Sequence, residues 1–328
     1  MIQRQLGKNG PMVSALGLGA LSFGGLFGAT DAETSHRALD RAMDLGITHL
    51  DTALIYGPYI SEEVIGEYLK KKPAAKKHFS IATKGGFKVN PRGISNEAGF
   101  LRECLEGSLK RLGVDHVDLY YVHRRDQNIP IEDVTGTLAR FVQDGKIGGI
   151  GYSEIAPSSL ERASRVHHIR AVQSEYSLWT RLPELGLLQA CERLGTAFVA
   201  FSPLARGTLG NVVLDNQSLP DAFRRDMPRF SATNYPLNMA YIERFKAHAN
   251  ARGQHPSALA CAWILHKAPH IIPIPGTRTA EHLQDFASAT EIKLTEQEMA
   301  EIETILPAGF AHGNRYSEEQ QKSSELYC

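Results

Sequence analysis

The chain has 328 residues and a mass of 36.1 kDa, of which 42% are hydrophobic, enough to fill one α/β barrel or two smaller domains. Lysine plus arginine equals aspartate plus glutamate at 36 each, so no excess charge points to nucleic acid, an anionic membrane surface or a strongly acidic partner. No stretch approaches about 20 consecutive apolar residues, and the amino terminus MIQRQLGKNG lacks the apolar run of a signal peptide, so the expectation is a cytoplasmic protein without a membrane span.

The first elements in chain order are two short runs, Gln3-Gln5 and Val13-Ala15, flanking Lys8-Asn9-Gly10. Asn-Gly favours a hairpin turn, and such a hairpin is suited to plug the bottom of a barrel. Strands are then expected at Leu16–Leu18, His49–Asp51, Phe79–Thr83, Val117–Val122, Gly149–Tyr152, Ala171–Gln173, Ala197–Ala200 and Ile271–Ile274. Between them helical periodicity spans Ala32–Leu45, Ser61–Lys70, Glu97–Leu112, Ile131–Asp144, Ser158–Val166, Leu185–Leu194, Leu237–Arg252 with Ser257–Lys267, and Thr279–Ala289, and one more helix follows at Thr295–Ile305. Strands that alternate with helices are parallel, because each crossover needs a helix. Eight such units predict a (β/α)8 TIM barrel with an N-terminal β-hairpin and a C-terminal extension, a single domain over 1–328 with 306–328 as a polar tail near the active-site face.

An open nucleotide-binding sheet is the competing reading. Gly17-Leu18-Gly19-Ala20-Leu21-Ser22 nearly spells a dinucleotide fingerprint, but that fingerprint requires a helix to begin at once. Here Phe23-Gly24-Gly25-Leu26-Phe27-Gly28 intervenes before Asp31 can cap one.

A closed barrel gathers the carboxyl ends of its strands on one face, and there lie Asp51, Tyr56, Lys84 and His123. A free phenol titrates near pH ~10. A neighbouring ammonium favours phenolate, and a carboxylate beside that ammonium keeps it charged. Tyr56, Lys84 and Asp51 therefore suit a proton relay, and His123 suits orientation of a substrate oxygen. Singly, Asp51 reads as well as a turn cap, Tyr56 as core, Lys84 as surface and His123 as a satisfied histidine; their joint placement favours chemistry. No metal is expected: His167 and His168 are adjacent and diverge on a helix, and His248 and His255 lack carboxylates at ligand spacing. No CxxC pair joins Cys104, Cys191, Cys261 and Cys328; the first three read as core thiols and the last as an exposed one.

Gly46-Ile47-Thr48-His49-Leu50-Asp51-Thr52-Ala53-Leu54-Ile55-Tyr56-Gly57 resembles the signature of the aldo-keto reductases. Ile81-Ala82-Thr83-Lys84-Gly85 resembles that family's lysine segment, and Asp118-Leu119-Tyr120-Tyr121-Val122-His123 its histidine segment. Tyr56-Gly57-Pro58 and the tail Gly313-Asn314-Arg315-Tyr316 are similar to a bacterial and plant branch of auxin-induced or pyridoxal reductases. The resemblance implies hydride transfer from NADPH to a small-molecule carbonyl, with Tyr56 as proton donor, Lys84 and Asp51 tuning it and His123 positioning the carbonyl. In channel β-subunits of the superfamily asparagine commonly replaces that histidine, so His123 favours an enzyme.

The same resemblance assigns cofactor contacts. Ala20 and Leu21 follow the first strand. Ser153 and Gln173 would meet the nicotinamide amide, and Phe201 would stack on its ring. Ser202, Pro203, Leu204, Arg206 and Gly207 belong to a pyrophosphate loop. Gly276, Thr277 and Arg278 open the eighth helix, where Arg278 would fork onto a 2′-phosphate, with His282 and Asp285 further along. Glu154 stands where asparagine or arginine is usual and is a candidate to repel anionic substrates; Phe286 offers adenine no hydrogen bond. Substrate-pocket candidates are Phe23, Leu54, Phe87, Arg124 and Trp179, in loops after strands, with Leu21 beside them. Arg124 suits a carboxylate or phosphate on the substrate, or equally a salt bridge with Asp126 or Glu154. Trp179 is expected in a pocket or interface. Two other functions stay open: a Schiff-base lyase using Lys84, and a nicotinamide-binding sensor or scaffold with little turnover. The sequence assigns no oligomeric partner.

Overall fold

The computed structural model describes residues 1–210 and 214–327; Cys328 lies outside the described residues. Strands β1 (Gln3–Gln5) and β2 (Met12–Ser14) form an antiparallel hairpin. The barrel comprises β3 (Leu18–Gly19), β4 (His49–Asp51) and β5 (Ser80–Gly85). A small antiparallel hairpin of β6 (Phe87–Lys88) and β7 (Gly93–Ile94) follows, which the sequence did not announce. The barrel continues with β8 (Leu119–Val122), β9 (Ile150–Ser153), β10 (Ile169–Glu175), β11 (Ala197–Phe201) and β12 (Ile271–Ile274). Each barrel strand pairs in parallel with the next, in the order β12-β11-β10-β9-β8-β5-β4-β3.

The circle is completed by backbone contacts between the first and last strands. Gly17 donates to Pro273 O at 2.9 Å, Gly19 donates to Pro275 O at 3.1 Å, and Gly19 bridges Gly276. A Cβ on Gly19 would lie 2.9 Å from Ile274 O, so this approach requires glycine. The Gly17-Leu18-Gly19 run thus serves barrel closure. A 3₁₀ turn, Ala20–Gly24, follows it, and the α-helix Ala32–Asp44 begins only after Asp31, whose carboxylate accepts the Thr34 N–H at 2.7 Å.

Helices Ile60–Lys71, Ala98–Leu112, Ile131–Gln143, Pro157–Val166, Leu187–Leu194 and the pair Asn234–Ala251 and Pro256–Lys267 occupy the remaining crossovers, and Ala280–Ser288 follows the last strand. The glycines expected to end helices, Gly46, Gly113, Gly145 and Gly195, have φ of 73°, 65°, 71° and 67°. Strand side chains alternate between two cores. Ala82, Leu119, Tyr121, Ala171, Val199 and Ile272 fill the barrel interior, while Tyr120, Val122, Val172 and Phe198 face the helices. Leu6 and Val13 of the N-terminal hairpin are fully buried in the interior set, so the hairpin closes one end. Among the described residues no helix is long and apolar enough to cross a membrane.

The final segment runs back over the opposite end. Phe310 and Tyr316 are buried, and Ser317 caps the short helix Glu318–Gln321. Arg315 bonds the Glu154 carboxylate. Glu325 meets Arg125 at 2.9 Å, accepts the Ala156 N–H at 2.8 Å and donates its own N–H to Glu154 O at 3.0 Å. Two tail residues, Arg315 and Glu325, therefore tie down the loop after β9.

Candidate active site

Counting by two along the strands from the interior residues builds the site. Ala82 leads to Lys84, Tyr121 to His123, Ala171 to Gln173 and Glu175, and Val199 to Phe201. Each sits at the carboxyl end of its strand on the inward parity. His123 lies one residue past β8 and stays in the ladder through its N–H to Gly85 O, 2.9 Å.

Tyr56 comes from the loop after β4. Leu54 N donates to Lys84 O at 3.3 Å, and Tyr59, with φ of 71°, donates to Leu54 O at 2.7 Å. The Arg111 guanidinium covers the Tyr59 ring at 4.5 Å and bonds the fully buried Glu62 at 2.7 Å, which fixes the loop to its helix.

Lys84 is fully buried and donates to Asp51 Oδ1, to Thr52 O at 2.8 Å and to Tyr56 Oη at 3.1 Å. All three ammonium donors are used. Asp51 Oδ2 accepts the Gln173 amide at 2.8 Å. Burial alone would lower the Lys84 pKa, but Asp51 and Tyr56 outweigh it and raise it, so the amine is an ammonium at neutral pH. Burial raises the Tyr56 phenol above its ordinary value; Lys84 opposes this and Asp51 reinforces it. The expectation that the ammonium would favour phenolate is thus outweighed in the resting site: the phenol carries its proton. His123 is held well below the ordinary histidine value by burial, then by Lys84 and Arg124, and is neutral. Its ring meets Tyr56 edge-on at 5.8 Å and Phe87 at 4.9 Å, the latter carried in by the β6–β7 hairpin.

Phe23 and Leu54 are buried, and Leu54 is tied to this centre by its N–H to Lys84 O. Arg124 Nη1 donates to His123 O at 2.6 Å and to Ser153 Oγ at 3.0 Å, so neither Asp126 nor Glu154 takes it. Trp179 is only 4% exposed and stacks on Phe230 at 5.9 Å, and with Glu175, Arg206, Arg229 and Arg315 it lines a small cavity under the segment after β11.

The expected cofactor residues fall at the same barrel end. Ala20 is buried, with its carbonyl accepting Ser61 Oγ at 2.9 Å, and Leu21 is half-buried. After β11 the backbone turns left-handed at Ser202, Ala205 and Arg206 (φ 50°, 49° and 60°) and again at Gly207. Left-handed non-glycine residues in a row are strained, and such strain collects at ligand sites. Arg206 is buried, paired with Glu175 at 2.6 Å, bonded to Tyr316 Oη at 3.2 Å and lying over the Phe201 ring at 5.4 Å. Arg278 donates to Ala29 O at 3.1 Å, which draws the glycine-rich loop after β3 against it. Thr277 Oγ1 bonds His282 Nδ1 at 3.2 Å, Asp285 lies 3.5 Å from His255, and Phe286 is core.

Glu154 has a left-handed backbone, φ 58°, that turns its carboxylate to Glu175 N at 2.9 Å and to Arg315. Burial would raise its pKa, but Arg315, then Arg124 and the Glu175 N–H, hold it at about 2. It is therefore an anion already neutralised. Sequence reasoning missed Glu175, and it named Arg315 and Tyr316 in the tail motif without their contacts to Glu154 and Arg206. Strand parity two residues past Gln173 could have found the first; the pairing of Arg315 with Glu154, 161 residues away, left no local signal. Among the described residues no cluster of three or more His, Cys, Asp or Glu side chains gathers as a metal would require.

Residues 15–307 match the model of the Aldo/keto reductase family. A "Probable aldo-keto reductase 1" of Glycine max is 36% identical over 318 residues, covering 95% of this chain and 91% of the relative. The solved glycerol dehydrogenase AKR11B4 of Gluconobacter oxydans superposes with a TM-score of 0.81 at 26% identity, covering 93% of this chain and 94% of that one.

Proposed function

The chain belongs to the aldo/keto reductase family of oxidoreductases, and from that premise we propose that it reduces aldehydes or ketones to alcohols with NADPH, Tyr56 giving the proton. The buried relay Asp51–Lys84–Tyr56 carries this reading. A substrate oxygen held between Tyr56 and His123 would meet a protonated phenol and a neutral imidazole, one a proton donor and the other a hydrogen-bond partner. As the proton leaves Tyr56, the charge that develops on its oxygen faces the Lys84 ammonium at 3.1 Å. Asp51 keeps that ammonium charged and fixed.

The residues present fit a nicotinamide dinucleotide. Gln173 retains its amide oxygen after its nitrogen is given to Asp51, the loop 202–207 offers strained, left-handed backbone, and Arg278 stands before the helix Ala280–Ser288. NADPH, when bound, supplies the hydride. Because Arg206 is committed to Glu175, we assign the phosphates first to the backbone of 202–207 and to the segment Gly276–Arg278. Ala20, Leu21, Ser153, Phe201, His282 and Asp285 complete the proposed contacts. A Schiff base on Lys84 needs a neutral amine, and three hydrogen bonds with a raised pKa work against it. The three described cysteines are buried and unpaired, which suits a reducing cytoplasm, and we read residues 1–328 as one domain.

The test is a panel of aldehydes, quinones, pyridoxal and sugars with NADPH or NADH, followed by loss of cofactor absorbance. Tyr56→Phe should lower kcat by about 10²–10⁴-fold; a variant as fast as the parent would show that another group gives the proton.

A further inference from the structure

The cations at the barrel mouth are mostly matched to carboxylates. Lys84 has Asp51, Arg206 has Glu175, and Arg315 has Glu154. Arg124 differs. Its Nη1 is anchored to His123 O and Ser153 Oγ, both neutral acceptors, and its Nε is enclosed without a hydrogen-bond partner among the described residues. What sets Arg124 apart is that its charge has no paired carboxylate, and a half-buried charge is best stabilised by an anion. The side chain as a whole is only half-buried, so the open part of its guanidinium can donate to an oxygen of an oxyacid at the mouth.

Its placement is fixed from behind. The buried Asn96 donates to Arg124 O at 3.1 Å and accepts the Asp126 N–H at 2.7 Å, clamping the turn on both sides. The charge acts on the reaction centre, since Arg124 disfavours protonation of His123 and opposes the rise of the Tyr56 phenol. The carboxylate with the strongest claim to it, Glu154, is turned to Arg315.

We propose that Arg124 is the specificity-determining residue of this site and that the substrate is a carbonyl compound bearing an anionic oxyacid group, a carboxylate in the first instance. The inference rests on the reductase reading above and gives it a substrate class. The probes are 4-carboxybenzaldehyde and its methyl ester, which share a shape and differ in charge; the ester is the more electron-withdrawing, so a preference for the acid cannot come from carbonyl activation.

The parent enzyme should prefer the acid by about 10–100-fold in kcat/KM, the worth of one or two charge-assisted hydrogen bonds, and the preference should weaken as salt is added. Arg124→Met should collapse the acid-to-ester ratio toward one, and Arg124→Lys should keep part of it. Equal kcat/KM for the two aldehydes in the parent would overturn the proposal without any variant. So would an Arg124→Met enzyme that loses both activities in equal proportion, which is the mark of a purely structural residue. Absence of turnover with either aldehyde, while NADPH still binds, would remove the reductase reading itself.

Discussion

Lys84 gives every one of its ammonium donors to the site, yet burial sets the protonation of Tyr56 and His123 first and the Lys84 charge only second. Tyr56 acts as a donor only while protonated, a form present below its pKa and lost as pH rises through it. With that pKa raised above the ordinary 10, the reductive kcat should be flat from about pH 6 to 9 and fall only beyond. His123 is neutral over the same range, so no inflection belongs near pH 6.5; steady-state rates in a series of buffers would reveal one. Lys84→Met should cut kcat more than KM, because it strips the developing phenolate of its counter-charge. The four reactive residues were legible because strand ends carry short, distinctive motifs. Their hydrogen-bond order was not: Gln173 donates its amide nitrogen to Asp51 and Ser153 Oγ accepts from Arg124, and such choices depend on packing between strands far apart in sequence.

Among the elements, the tail was the least readable, since a polar stretch rich in Glu, Gln and Ser fits disorder as well as docking. Its anchors are specific pairs, Arg315 with Glu154 and Glu325 with Arg125. Glu154 titrates at about 2 in the folded chain, against an ordinary 4.5, so its stabilisation is full above 4.5 and lost as pH falls toward 2. That loss is about 3 kcal/mol. Glu154→Gln should flatten the acid side of the stability curve between about pH 5 and 2, as read by thermal melts. Arg315→Met leaves a buried carboxylate unpaired and should destabilise by about 3–5 kcal/mol, while the Glu154→Gln/Arg315→Met pair should recover much of it. If the single and double variants melt alike, the two side chains are not coupled. Arg315→Met should also raise KM for an anionic aldehyde, because Glu154 then faces Arg124 uncompensated. The helices, by contrast, were recognisable from periodicity and terminal glycines, with ends displaced by a few residues, as where a proline in the first turn, Pro157 or Pro256, sets the true start.

For the whole molecule, barrel closure explains both what the sequence suggested and what it disguised. The near-fingerprint at Gly17-Leu18-Gly19 is a place where two backbones meet, and Leu6 and Val13 plug the far end. Leu6→Ala should cost about 2–5 kcal/mol, as expected for a cavity in a sealed interior, although it lies in the N-terminal hairpin. Chemical unfolding should report this as an earlier midpoint. The central claim is hydride transfer to a carbonyl with Tyr56 as the acid. NADPH deuterated at the transferred position of its nicotinamide, mixed with an aldehyde in ordinary water, tests it most directly. The account predicts one deuterium on the former carbonyl carbon of the alcohol and near-complete loss of turnover in Tyr56→Phe. An alcohol without deuterium, or an adduct on Lys84 trapped by borohydride in its place, would contradict it.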